Sequence, residues 1–179
     1  VSLSITALTP HLSHLYKVQT LLEQETASLM ELNDLYSEKI LDLAANAPNP
    51  GRLAAPDGTA RKVAKVCGSL IEVDLSIQNG VITGYGHKVS ACALGQTSAS
   101  VVAREIVGTT VAEFSVLRDT MLAMLTVEGP VPAGKWADLA YLEPVRAFPH
   151  RHASTMLVFE AVLAALENAE SKQAHGAQS

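Results

Sequence analysis

Apolar residues recur along this chain in two periods, and the points where the period changes divide it into elements. Leu32, Leu35, Tyr36, Ile40, Leu41 and Leu43 follow the i, i+3/i+4 spacing of an amphipathic helix, with Asn33 or Asp34 available as its cap. Asn46-Ala47-Pro48-Asn49-Pro50-Gly51 ends it, because two prolines and a glycine cannot continue a helix, and Gly51 to Gly58 reads as loop. The period then drops to two. Arg61 to Val66 reads as a first strand. Ile71, Val73, Leu75 and Ile77 alternate with Glu72, Asp74 and Ser76, and Asn79-Gly80 is the signature of a type I′ turn into a return strand running to about Val89.

Beyond Cys92 the helical period returns. Ser98 to Val107 reads as a helix closed by Gly108, and Thr110 caps another with the face Phe114, Leu117, Met121, Leu122 and Leu125. Gly129-Pro130-Val131-Pro132 breaks the chain. Trp136 to Arg146 reads as a shorter helix ending near Pro149, and Ser154 to about Glu170 as the last one. Strands first and helices after them predict an α+β domain, with a three-stranded antiparallel sheet covered by about five helices. Residues 31–170 form that domain. Residues 1–30 are an N-terminal extension, a helix on the near-helical spacing of Leu12, Leu15, Val18, Leu21 and Leu22, or sequence not native to the domain; Ser171 to Ser179 is a polar tail expected to be mobile.

Composition narrows the function classes. The 179 residues suit one domain, and with 48% hydrophobic and 17% charged residues the chain is a folded globular one. A net charge of -5 and 4% aromatic residues argue against nucleic-acid binding, which needs a basic footprint or stacking platforms. No uninterrupted apolar stretch is long enough for a membrane span, the N-terminal residues lack the pattern of a signal or transit peptide, and the cytosol is the expected compartment.

Chemistry concentrates on the only two thiols, Cys67 and Cys92. Cys67 follows an apolar run and precedes Gly68. Cys92 opens a run of small residues, Ala93 to Ser100, leading into a helix, whose N-terminus favours negative charge. Two buried thiols can equally be small hydrophobes. The remaining soft donors are histidines. His150 and His152 precede the last helix and would complete a Cys₂His₂ set suited to zinc, or else form a solvated pair beside Arg151; His87 reads as a structural residue of the third strand. No Cys-x-x-Cys marks a redox dithiol, and no hydrolase signature accompanies either cysteine.

Several segments in order resemble the U-type iron–sulfur cluster scaffold family, the IscU, SufU and NifU N-terminal group. They are Leu35 to Asp42 with Asn49-Pro50-Gly51, then Cys67-Gly68-Ser69, then Cys92 with Ser98-Ala99-Ser100, then Leu142-Glu143-Pro144-Val145-Arg146. The resemblance implies the SufE/NifU-like fold and a scaffold or carrier, not an enzyme, that binds iron and sulfide at Cys67 and Cys92 and passes a [2Fe–2S] cluster to acceptor apo-proteins. It implies a cysteine desulfurase as partner and a chaperone reading Leu142 to Arg146. The family's aspartate after the first Cys-Gly is here Ser69, and its third cysteine is here Ser154. His152, or else His150, is the expected replacement donor. The alternative is a diverged relative that binds zinc or no metal and serves as an interaction module.

Overall fold

The computed structural model describes residues 17–21, 36–48, 50–65 and 67–176, and the chain divides into two compact units, Val1–Tyr36 and Ser37–Ser179. In the first unit residues 17–21 are helical. Leu12, Leu15, Leu22, Leu32, Asn33, Asp34 and Leu35 lie outside the described residues.

The second unit carries helix α1 (Glu38–Ala45), strands β1 (Gly58–Ala64), β2 (Ser69–Gln78) and β3 (Val81–Ser90), and helices α2 (Ala93–Glu105) and α3 (Val111–Thr126). A 3₁₀ helix (Gly134–Ala147), α4 (Pro149–Thr155) and α5 (Leu157–Gly176) complete it. The sheet is antiparallel in the order β1-β2-β3, and the fold is α+β as the periods predict. Asn79 and Gly80 both have positive φ, 50° and 74°, which is the type I′ geometry. The cap of α1 is Ser37, whose hydroxyl accepts the Ile40 N–H. Thr110 caps α3 in a reciprocal capping box with Glu113.

Ile71, Val73 and Leu75 of β2 are buried on one face, with Tyr85 and His87 of β3 paired across from Leu75 and Val73. Helix α5 packs over β1 and β2, and the Asn168 side chain accepts the Thr59 N–H at 3.1 Å. On the other face Asp74, 1% exposed, is held by the loop after α1. The Arg52 guanidinium forks onto its two oxygens at 2.5 and 2.6 Å, the Leu53 N–H donates to it at 3.1 Å, and Arg52 also reaches Glu72 at 3.1 Å. A buried carboxylate needs such charge-assisted partners, and these tie the loop from Gly51 to the sheet.

The helical half departs from the sequence expectation at four places. Helix α2 starts at Ala93, five residues ahead of Ser98, because Cys92 is its cap residue. The segment around Trp136 is a long 3₁₀ helix with Pro144 inside it, a residue that lacks the N–H an α-helix interior requires. Pro149 begins α4 where it was expected to end a helix, since proline is tolerated in a first turn; Met156 then separates α4 from α5. Ser171 to Gly176, expected as mobile tail, continue α5, and residues 177–179 lie outside the described set.

Two buried titratable groups, Asp74 and His87, make stability depend on pH. Arg52 holds the Asp74 carboxyl below its ordinary range, so this contact stabilises the fold above the unfolded carboxylate value and is lost as pH falls through the lower folded one. Arg52→Ala should cost about 2 kcal/mol at neutral pH in denaturant unfolding and flatten the acid limb of the stability curve. His87 is buried, its Nδ1 has no partner among the described residues, and burial pushes its pKa down. Below about pH 6.5 the unfolded chain takes up a proton that the native state refuses, so stability falls on acidification. His87→Phe should remove most of that loss between about pH 6.5 and pH 5, measured by thermal unfolding across pH.

Candidate functional site

Strand register carries both thiols to one end of the sheet. The β1–β2 pairing closes at Ala64 opposite Ser69, so Cys67 lies in the connecting turn; β3 ends at Ser90, paired with Leu70, two residues before Cys92. Gly68 takes φ of 70°, a conformation that favours glycine, and its N–H and that of Cys67 both return to the Ala64 carbonyl. Cys67 is thus a turn residue and not a strand end; Val66 before it lies outside the described residues. Cys92 is the cap residue of α2 and makes no side-chain capping bond, which leaves its thiol free to face elsewhere. Both thiols are free and half-buried.

Two serines complete the arrangement. The Ser69 hydroxyl lies 3.0 Å from the Cys67 sulfur, and the Cys92 thiol donates to the Ser154 hydroxyl at 3.5 Å. Ser154, fully buried at the end of α4, donates its own proton to the Arg151 carbonyl at 2.9 Å. Helix α2 can come this close because Gly95 has no side chain: a Cβ there would meet the Ser154 carbonyl at 3.0 Å and the Ala91 Cβ at 2.8 Å. The Ser69 hydroxyl holds the Cys67 thiol below its ordinary pKa, against the opposing effect of burial and helped by the Ser69 backbone N–H. Cys67, Ser69, Cys92 and Ser154 make one cluster, in which two hydroxyls stand where the resemblance expects a carboxylate and a third thiol.

His152 is not brought into that cluster. Its Nε2 lies 3.1 Å from the Val145 carbonyl and 3.3 Å from that of Arg146. Both partners can only accept, so Nε2 carries the proton and is no metal donor. The cause is Pro149, which starts α4 so early that His152 turns back onto the end of the 3₁₀ helix. His150 is exposed, edge-on to Phe148 with ring centroids 6.2 Å apart. Among the described residues no group of three or more His, Cys, Asp or Glu side chains is placed to hold a metal ion. His87 sits in the core, as read from the sequence.

The remaining expected features have plainer settings. Ser98, Ala99 and Ser100 are buried; Ser98 bonds back to the Leu94 carbonyl, and Thr97 donates to the Ile40 carbonyl of α1 at 3.0 Å, so this run packs α2 against α1. In the segment read as a chaperone site, Leu142 and Val145 are fully buried, and Arg146 donates to the Met124 carbonyl at 2.9 Å and to Glu143. Sequence reasoning missed Ser69 and Ser154 as partners of the thiols and treated them only as lost ligands. Their positions, two residues after Cys67 and at the site of the third cysteine, were the available signal.

Cys67 should be the faster thiol toward iodoacetamide at neutral pH. Ser69→Ala should raise its pKa and slow it by up to about tenfold, the equivalent of one pKa unit, as read by mass spectrometry of the alkylated peptides.

Comparison with known proteins agrees with this geometry. The NifU-like N terminal domain model matches residues 35–174. The chain is 27% identical over 122 residues to the iron–sulfur cluster assembly scaffold protein IscU of Azotobacter vinelandii, covering 65% of this chain and 95% of that protein. Its identity to IscU of Thermotoga maritima is also 27%, over 135 residues, 74% of this chain and 93% of that one. A crystal structure of a nitrogen-fixing NifU-like protein (N-terminal) from Brucella abortus is 45% identical, with a TM-score of 0.77 over 79% of this chain and 99% of the other. A SUF-system protein from Fervidobacterium islandicum AW-1 shares the fold at 19% identity and a TM-score of 0.68, over 75% of this chain and 98% of the other. With the family model spanning the chain from the helix ahead of the sheet to the last turn of α5, the chain belongs to the NifU-like N-terminal domain family.

Proposed function

We propose that this protein is an iron–sulfur cluster assembly scaffold or carrier, with Cys67 and Cys92 as the protein ligands of its cargo. The observation that carries the reading is the placing of two half-buried free thiols at one end of the sheet, Cys67 against the Ser69 hydroxyl and Cys92 against that of Ser154. Iron–sulfur cargo prefers thiolate ligands, whereas a neutral serine hydroxyl is a poor one. Ser69 and Ser154 then serve as hydrogen-bond partners of the ligating sulfurs, a role that orients ligands and tunes what they hold. Two protein thiolates leave iron positions open, and open positions are what a cargo handed to another protein needs.

In this reading a cysteine desulfurase supplies sulfur and acceptor apo-proteins take the cluster, a [2Fe–2S] unit being the smallest that two thiolates can begin to hold. A chaperone at Leu142 to Arg146 would require that segment to leave its packing first, since its two largest apolar side chains are buried.

Anaerobic reconstitution with ferrous iron and sulfide should give a coloured protein with visible charge-transfer absorption, and Cys67→Ser or Cys92→Ser should lose most of the bound iron. A colourless product without iron contradicts the reading. Zinc in the purified protein, with no iron uptake on exchange, would favour the diverged zinc-binding relative.

A further inference from the structure

Strand β1 pairs with β2 alone among the described residues, so its other edge has no strand beside it. The far edge of the sheet, β3, is met by the Gly51 and Thr110 segments through isolated bridges to His87 and Val81. Thr59 shows which way the open edge faces, because its N–H leaves the sheet to donate to the Asn168 side chain of α5 at 3.1 Å. Backbone groups alternate along a strand, so the N–H and C=O of Arg61 and Val63 also point away from β2. Asn168 closes the edge at the Gly58 end. Toward Cys67 the edge stays open: Arg61, Lys62, Val63 and Lys65 are exposed, Val63 by 46%. The charge of this edge opposes that of the chain. The protein carries a net charge of -5, yet Arg61, Lys62 and Lys65 put three cations within five residues. Glu72 answers Arg61 loosely, at 3.8 Å. Lys62 and Lys65 form no ion pair among the described residues.

We propose that the outer edge of β1, from Arg61 to Lys65, docks an extended acidic segment of a partner protein as a fourth strand of the sheet. Main-chain bonds to Arg61 and Val63 supply the affinity, and alternate side chains select the partner. Arg61 and Val63 share one face of the strand and Lys62 takes the other. A matching segment therefore sets acidic residues opposite Arg61 and Lys62, an apolar one opposite Val63, and a further acidic one within reach of Lys65. Lysines on a free edge keep copies of a chain from pairing edge to edge. They tell against a second copy as the occupant here, since β1 against β1 brings cations against cations, and like charges across a strand pair destabilise it. An acidic strand turns that repulsion into attraction. Strand β1 runs into the turn that holds Cys67, so the docked segment leads its owner to the thiol end of the sheet. The proposal concerns a strand edge and not a metal ligand, and it stands apart from the scaffold reading.

The test uses the full chain without iron and two synthetic peptides. One is acetyl-Glu-Thr-Val-Glu-Glu-amide, written to run antiparallel to β1, and the other has lysine in place of each glutamate. Binding is followed by the amide spectrum of isotope-labelled protein and by hydrogen exchange of single amides. The acidic peptide should bind with millimolar or tighter affinity, more weakly as salt rises, and at saturation slow exchange at Arg61 and Val63 at least about fivefold. The lysine peptide should not bind. Lys62→Glu combined with Lys65→Glu should weaken the acidic peptide at least about tenfold. Val63→Pro removes an outward N–H and leaves the bonds to β2, as proline allows on an edge strand, and should weaken it too. Methylated peptides test the same bonds with the protein unaltered. Methyl groups on the nitrogens of the valine and the last glutamate, which face β1, should abolish binding; one on the glutamate between them should not. No binding of the acidic peptide overturns the proposal, as does binding that leaves exchange at Arg61 and Val63 unchanged or that survives methylation of the facing nitrogens. Protection of those two amides that grows with protein concentration, without peptide, overturns it in favour of a second copy. Failed cluster reconstitution with peptide binding intact removes only the scaffold reading, and the reverse pair of results removes only the docking edge.

Discussion

The register of a three-stranded antiparallel sheet determines what chemistry this molecule can perform. A period-two strand can pair in many offsets, and a slip of one residue would turn Ile71, Val73 and Leu75 to the wrong face. Burial of that face under α5 fixes the offset, and the left-handed turn at Asn79-Gly80 fixes it again from the other end. With Ala64 opposite Ser69 and Leu70 opposite Ser90, the turn holding Cys67 and the cap holding Cys92 fall at the same edge. The thiols share that edge because the core is packed, and no local motif brings them there.

Around this edge the structure uses close approach in place of extra ligands. The small residues of α2 let it lie against α1 and against the end of α4, and that contact delivers Ser154 to Cys92. The Ser154 proton is committed to the Arg151 carbonyl, so toward Cys92 the hydroxyl acts as an acceptor. Ser69 stands against Cys67 and holds it toward the thiolate. The two thiols are therefore inequivalent: Cys67 is favoured as an anion, and Cys92 stands against a buried hydroxyl whose proton is used elsewhere. A site built this way suits passing sulfur and iron onward better than it suits a closed, permanent metal centre.

Much of the sheet half was legible in the sequence because its signals are local. Alternation along Ile71 to Ile77, the Asn79-Gly80 turn and, just beyond the sheet, the Thr110 cap each follow from a few adjacent residues. The helical half was less so. Nothing local distinguishes the 3₁₀ helix around Pro144 from a short α-helix, and Pro149 reads equally as an end or a beginning until its tertiary setting is known. That ambiguity carried over to the site: His152 was expected beside the thiols, whereas an early start of α4 turns its ring to the carbonyls of Val145 and Arg146. The Arg52–Asp74 clamp escaped notice for a similar reason, since its partners are brought together only by the folded loop.

The central claim is that Cys67 and Cys92 hold one shared cargo. Differential alkylation with light and heavy iodoacetamide, before and after anaerobic addition of iron and sulfide, tests it residue by residue. The account predicts that both thiols lose reactivity together, in proportion to the iron bound, and recover together when a chelator removes it. Protection of one cysteine with the other unchanged, or iron bound with both still reactive, would contradict it.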